Sequence, residues 1–282
     1  MIDGFYAVDY QVHSYCSHDG RASIAEQCAR AVAIGLEEIG FSEHKDFDPS
    51  DPVVNHFDYE AYMQEIEKAR REWGDRLKIR AGVEIDYQIW FEDQIGTYLD
   101  AHPFDFVIGS VHYVGGTMLM TPEYNRARTA EAAYRDYFKA VRDSVASGLF
   151  DILGHLEYAN RRGVSAWGPY QTVRYRDALE DLLALVIAQG TVLEINTAGL
   201  HQNIGMTYPH ADTVALYASM GGTRISIGSD AHHPDQLAHA YAQAVSIVRA
   251  SGLSHICTFE HRQLLPVPLL PVTAFTAGPE ES

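Results

Sequence analysis

The chain has 282 residues, is 46% hydrophobic and carries a formal net charge of −17. That balance supports a sizeable globular core and excludes general nucleic-acid binding, because phosphate backbones are held mainly by Lys and Arg. Its three cysteines, Cys16, Cys28 and Cys257, point to reduced thiols rather than a disulfide framework. The opening MIDGFYAVDY does not read as a secretory leader, and no run reaches the ~18 apolar residues of a membrane span, so a cytoplasmic protein is expected.

Short apolar runs alternate with segments of helical period along the chain. The first run, Phe5 to His13, leads into DYQVHSYCSHDG, a segment dense in metal-ligand residue types. Alternate side chains of a strand share a face, so Asp9, Gln11 and His13 are expected to point one way. SIAEQCARAVAIG (Ser23 to Gly35) then reads as a helix, with Ser23 as N-cap and Glu26 completing a capping box. A second strand spans Glu37 to His44, and a second helix spans Asp58 to Gly74, with Asp58 as its cap. Five more strands follow at Lys78 to Tyr87, Phe104 to Val114, Phe150 to Tyr158, Val192 to Gly199 and Arg224 to His232. All are rich in Ile, Val, Phe or Leu and too short to be helices. After His261, RQLLPVPLLPVTAFTAGPEES reads as an extended strap and frayed tail. The expected division is one domain over 1–265 and a Pro-rich strap and tail over 266–282.

Seven strand-helix units with continuous apolar strands imply a parallel sheet covered by helices. The polar residues favour closing it into a barrel. His13, His44, Glu84, His112, His155, Asn196, Asp230 and His232 all fall at strand ends, and in a closed parallel barrel those ends meet around one axis. Imidazole and carboxylate at convergent ends suit Zn, Mn or Fe.

The strand-end sequences GFSEH, GVEIDY, IGSVHY, LGHLEY, INTAGL and GSDAH resemble the polymerase-and-histidinol-phosphatase (PHP) family of metal-dependent phosphoesterases, above all its histidinol-phosphate phosphatases. The resemblance runs from about Val8 to His233. It implies a distorted (β/α)7 barrel and two or three divalent metal ions at the C-terminal face of the strands. Carried over position by position, it makes Gln11 and His13 the paired residues of the first motif, with Asp19 as a third ligand and His44 ending the second motif. Glu84 would bridge two metals, and His112 and His155 would complete one of them. Asp230 would join Gln11 and His13, and His232 would join Asp19 and His44. Of these nine positions only Gln11 is a poor ligand, because a glutamine carbonyl is neutral and weak.

Such a site suits hydrolysis of a small phosphate monoester, with L-histidinol phosphate the expected substrate. Asp230 and His18 are the candidates for protonating the leaving group. Arg161 and Arg162, whose planar forks can hold two phosphate oxygens, are candidates for the substrate phosphate. Asn196 is a candidate for orienting substrate. His201 stands where similar phosphatases carry a basic residue, often arginine, after NTAGL. That departure leaves a nucleotide, a phosphodiester or another metabolite phosphate as alternative substrates. Gln11 leaves open a metal-depleted relative that binds a phosphorylated ligand without turnover.

Overall fold

The computed structural model describes residues 6–126 and 128–269. Seven parallel strands lie side by side in chain order: β1 (Val8–Val12), β2 (Glu38–Lys45), β3 (Lys78–Asp86), β4 (Phe106–Ser110), β5 (Ile152–Leu153), β6 (Val192–Asn196) and β7 (Ile225–Gly228). Sequential neighbours joined by helical crossovers follow from the alternating pattern of the sequence. The first and last strands meet where His13 N–H donates to the Ala231 carbonyl at 2.8 Å and Ala231 N–H to that of Gln11 at 3.2 Å. The sheet is thus a nearly closed barrel, as expected. Helix α1 (Ile24–Ile34) starts at the expected capping box, Ser23 with Glu26, and α2 (Tyr59–Trp73) at Asp58, whose carboxylate accepts from Ala61 N–H.

β4, expected to reach Val114, stops at Ser110, ahead of His112. Three more expected strands end early, and each break moves functional residues. β5 stops at Leu153, and Glu157 takes a left-handed φ of 75°. Its buried carboxylate accepts from the Tyr170 and Thr213 hydroxyls and His210 N–H, which fixes the turn. A helix, α3 (Asn160–Trp167), therefore carries Arg161 and Arg162, not a loop. β6 gives way to a helical turn, Ala198–His201. β7 ends at Gly228, and Asp230, at φ 56°, begins a loop that carries His232.

The expected shared face of Asp9, Gln11 and His13 is broken by a bulge. Asp9 lies opposite Ile39 and Val12 opposite Phe41, so three residues advance on β1 for two on β2. Tyr10 consequently packs inward on Phe106, ring centroids 4.7 Å apart. Asp9 turns instead to the loop after β7, accepting from Ser229 N–H and hydroxyl and from Ala238 N–H. Phe106 fills the barrel because β2 and β3 carry glycines beside it. A Cβ on Gly40 or Gly82 would lie 2.8 or 2.3 Å from its ring.

The C-terminal segment is more ordered than a strap up to Pro268. β8 (His255–Glu260) and β9 (Gln263–Pro268) form an antiparallel hairpin. It closes the end of the barrel away from the ligand residues: the Tyr10 hydroxyl accepts from Phe259 N–H at 2.7 Å and donates to Glu38 at 2.6 Å. The expected strap beyond Leu269 lies outside the described residues.

Candidate metal centre

At the C-terminal ends of the strands two groups of ligand atoms assemble, one from His13, His44 and His232 and the other from Glu84, His112 and His155. Glu84 stands between them. Its Oε1 lies 2.8 Å from His155 Nε2 and 3.7 Å from His112 Nε2, while its Oε2 lies 3.4 Å from both His13 Nε2 and His44 Nδ1. Each carboxylate oxygen therefore faces one group. Asp19 joins the first group, 3.0 Å from His232 and 3.7 Å from His44, and Asp230 joins it 3.3 Å from His13.

The tautomers at this site follow from the hydrogen bonds. The Ser17 hydroxyl donates to the Glu43 carboxylate at 2.6 Å, so its oxygen is left to accept from His44 N–H at 2.9 Å and His13 Nδ1 at 3.2 Å. His232 Nδ1 lies 2.9 Å from the Asp230 carbonyl, which can only accept. Both rings thus carry their proton on Nδ1 and present Nε2 to the cluster. His13 Nε2 and Glu84 Oε2 are buried with no hydrogen-bond partner. Orphaned lone pairs among converging imidazoles and carboxylates are what a divalent cation would satisfy.

The charges are strongly coupled. Burial pushes the Glu84 carboxyl up, but His44, His155 and His112 overcome it and hold it well below its ordinary range. Burial likewise opposes ionisation of Asp230, and His13 and His232 outweigh it and keep its pKa low. His155, despite its burial, is raised to about 9 by its bond to Glu84. Its neighbour His112, 3.2 Å away, is lowered to about 3, chiefly by burial. His232 is raised to about 9 because Asp19 and Asp230 outweigh its burial.

The cluster opens into a cavity of about 510 Å³. His18, Arg161 and Arg162 lie on its wall, with Arg161 hydrogen-bonded to the Tyr158 hydroxyl and its guanidinium 5.5 Å from that ring. Three candidates are placed elsewhere. Gln11 and Asn196 are fully buried behind the cavity, joined by a bond from Asn196 Nδ2 to Gln11 Oε1 at 2.6 Å. His201 does not line the cavity, and its ring meets His239 edge-on at 5.5 Å. Asp46, Asp51, Tyr113, Met118 and Met120 line the wall without having been singled out. Asp46, two residues after His44 in the pattern EHKD, had a readable signal, whereas Tyr113 and Met118, paired in a short antiparallel hairpin, and Asp51 and Met120, in turns, had none.

A family model described as PHP domain matches residues 9–198. The histidinol-phosphatase of Lactococcus lactis is 30% identical over 261 residues, covering 89% of this chain and 94% of that protein. A probable histidinol-phosphatase of Deinococcus radiodurans is also 30% identical, over 92% of this chain and 98% of that one. The crystal structure of the L. lactis histidinol phosphate phosphatase, complexed with zinc, L-histidinol and phosphate, superposes with a TM-score of 0.84 at 29% identity, covering 92% of this chain and 99% of that one. With the nearly closed parallel barrel and the ligand groups at its strand ends, these matches establish that the chain belongs to the PHP family.

Proposed function

We propose that this chain is a metal-dependent phosphatase that hydrolyses L-histidinol phosphate to L-histidinol and phosphate in cytoplasmic histidine biosynthesis. The observation that carries the reading is the pair of ligand groups sharing Glu84, opening into one cavity with Arg161 and Arg162 on its wall. His13, Asp19, His44, Asp230 and His232 would hold metal on one side of Glu84, and His112 and His155 on the other. Zn, Mn or Fe bound there would lower the pKa of an attacking water and neutralise phosphoryl oxygens.

The protein's own groups do the rest. Asp230, held ionised by His13 and His232, is the base that orients the attacking water and takes its proton. Arg161, braced by Tyr158, and Arg162 receive the phosphate. His18, whose pKa is lowered mainly by burial and which lies 3.9 Å from Asp19, is the acid that protonates the leaving alkoxide. Asp46 and Asp51 supply negative charge for the ammonium group of the substrate, a pairing that a simple phosphate ester would not use.

Because both ligand groups form without Gln11, the enzyme reading is favoured over a binding-only relative. His201 lies off the cavity, so its departure from the usual basic residue removes no cavity contact. Purified protein supplied with Zn or Mn is expected to release phosphate from histidinol phosphate with a kcat/KM well above that for nucleotides, phosphodiesters and simple alkyl phosphates. Equal or greater turnover of those competitors would overturn the substrate assignment.

A further inference from the structure

Gln11 breaks the ligand pattern, and its surroundings show what it does instead. Asn196 Oδ1 accepts from Ala198 N–H at 2.9 Å, which fixes that amide and turns its Nδ2 toward Gln11. Because Nδ2 can only donate, the atom it meets at 2.6 Å is the carbonyl oxygen of Gln11, the one atom of that side chain able to ligate a metal. Asn196 Nδ2 also lies 3.3 Å from Glu194 Oε2, which accepts from His155 N–H at 2.7 Å. All of these side chains are buried, and a Cβ on Gly228 would lie 2.8 Å from Gln11 Cβ and 2.2 Å from Glu194 Oε1, so the glycine makes room for both side chains; Gln11 Nε2 has no hydrogen-bond partner, and the carbonyl oxygen alone is bonded. His13, meanwhile, stacks between His44 and His232 at centroid distances of 4.4 and 4.3 Å.

We propose that Gln11 is a structural amide rather than a ligand, and that the chain consequently binds two divalent ions, one on each side of Glu84, with no third position built on Gln11. The Gln11–Asn196 hydrogen bond ties β1 to β6 across β7, at the seam that the backbone bonds around Ala231 and the bonds of Asp9 to Ser229 also close. A metal tie is replaced there by a hydrogen bond that persists when metal is removed. This inference rests on the metal-dependent reading of the site but is read without turnover.

Two measurements test it, on the full chain and on Gln11→Met, which keeps the side-chain length and removes the carbonyl. Elemental analysis after dialysis against trace Zn is expected to give two equivalents for both proteins. Three equivalents in the unaltered chain, or loss of one in Gln11→Met, would overturn the proposal. The metal-free melting temperature is expected to fall by ~2–4 °C or more in Gln11→Met, because Asn196 Nδ2 loses its closer acceptor and keeps only Glu194 Oε2 at 3.3 Å. An unchanged metal-free melting temperature, with a smaller rise on adding Zn, would mark Gln11 as a ligand and overturn it as well. If Gln11→Met does not fold, the count on the unaltered chain decides alone. Failure of the phosphatase reading would look different: two bound ions and no phosphate released.

Discussion

His18 stands on the cavity wall beside Asp19, with its ring 5.5 Å from that of His44. If it delivers the proton to the leaving alkoxide, its value depends on how badly the leaving group needs one. His18→Asn is expected to lower kcat for histidinol phosphate by about 10²-fold, the usual scale of general acid catalysis. It should leave p-nitrophenyl phosphate, whose phenolate departs unaided, nearly unaffected. Equal losses on the two substrates, in parallel kcat measurements, would remove His18 from that role.

The loop after β1 is an element whose shape is set by one carboxylate. Glu43 is fully buried in β2 and accepts from Ser14 N–H, the Ser14 hydroxyl and the Ser17 hydroxyl. Ser17 in turn orients His13 and holds the backbone of His44. Glu43→Gln keeps one acceptor oxygen and sets an NH2 group against donors, so a loss of about 1.5–3 kcal/mol in urea unfolding is expected. Zn affinity measured against a competing chelator should weaken by about 10- to 100-fold, the scale of lost support for a ligating histidine. An unchanged affinity would show that the loop holds its shape without Glu43. Asp9 does the same work at the seam, fastening the loop that carries Asp230 and His232 through Ser229 and Ala238.

For the molecule as a whole, the site makes stability depend on metal and pH together. Without metal, His155 and His232 have folded pKa values of about 9, above the ordinary histidine value of 6.5. Their contribution is therefore fully present below pH 6.5 and lost as pH rises through 9. Burial raises Glu157 to about 7 and Glu194 to about 8, so their folded forms also favour the proton, and stability falls as pH climbs from the ordinary carboxyl range through those values. Metal binding displaces the histidine protons and tightens as pH rises. The melting temperature of chelated protein is expected to fall steadily between pH 6.5 and 9, while the gain on adding Zn grows over the same range. A chelated protein that melts at one temperature across that range would contradict the charge coupling described for the cluster.

The sequence by itself determined the number of barrel strands, their parallel order, the two capped helices and most of the residues that gather at the barrel mouth. These are local signals: apolar runs, a Ser23–Glu26 box, and ligand residue types placed where strands end. Tertiary structure decided what depends on partners far along the chain. The bulge in β1 exists to seat Tyr10 on Phe106 and Phe259, and it turned Asp9 away from the site. Glu157, through Tyr170, His210 and Thr213, ended β5 early and placed the arginines on a helix. Gln11 shows the division most clearly. Its place in the motif made it a weak ligand, but the orientation of an amide depends on its hydrogen-bond partner, and that partner, Asn196, is 185 residues away.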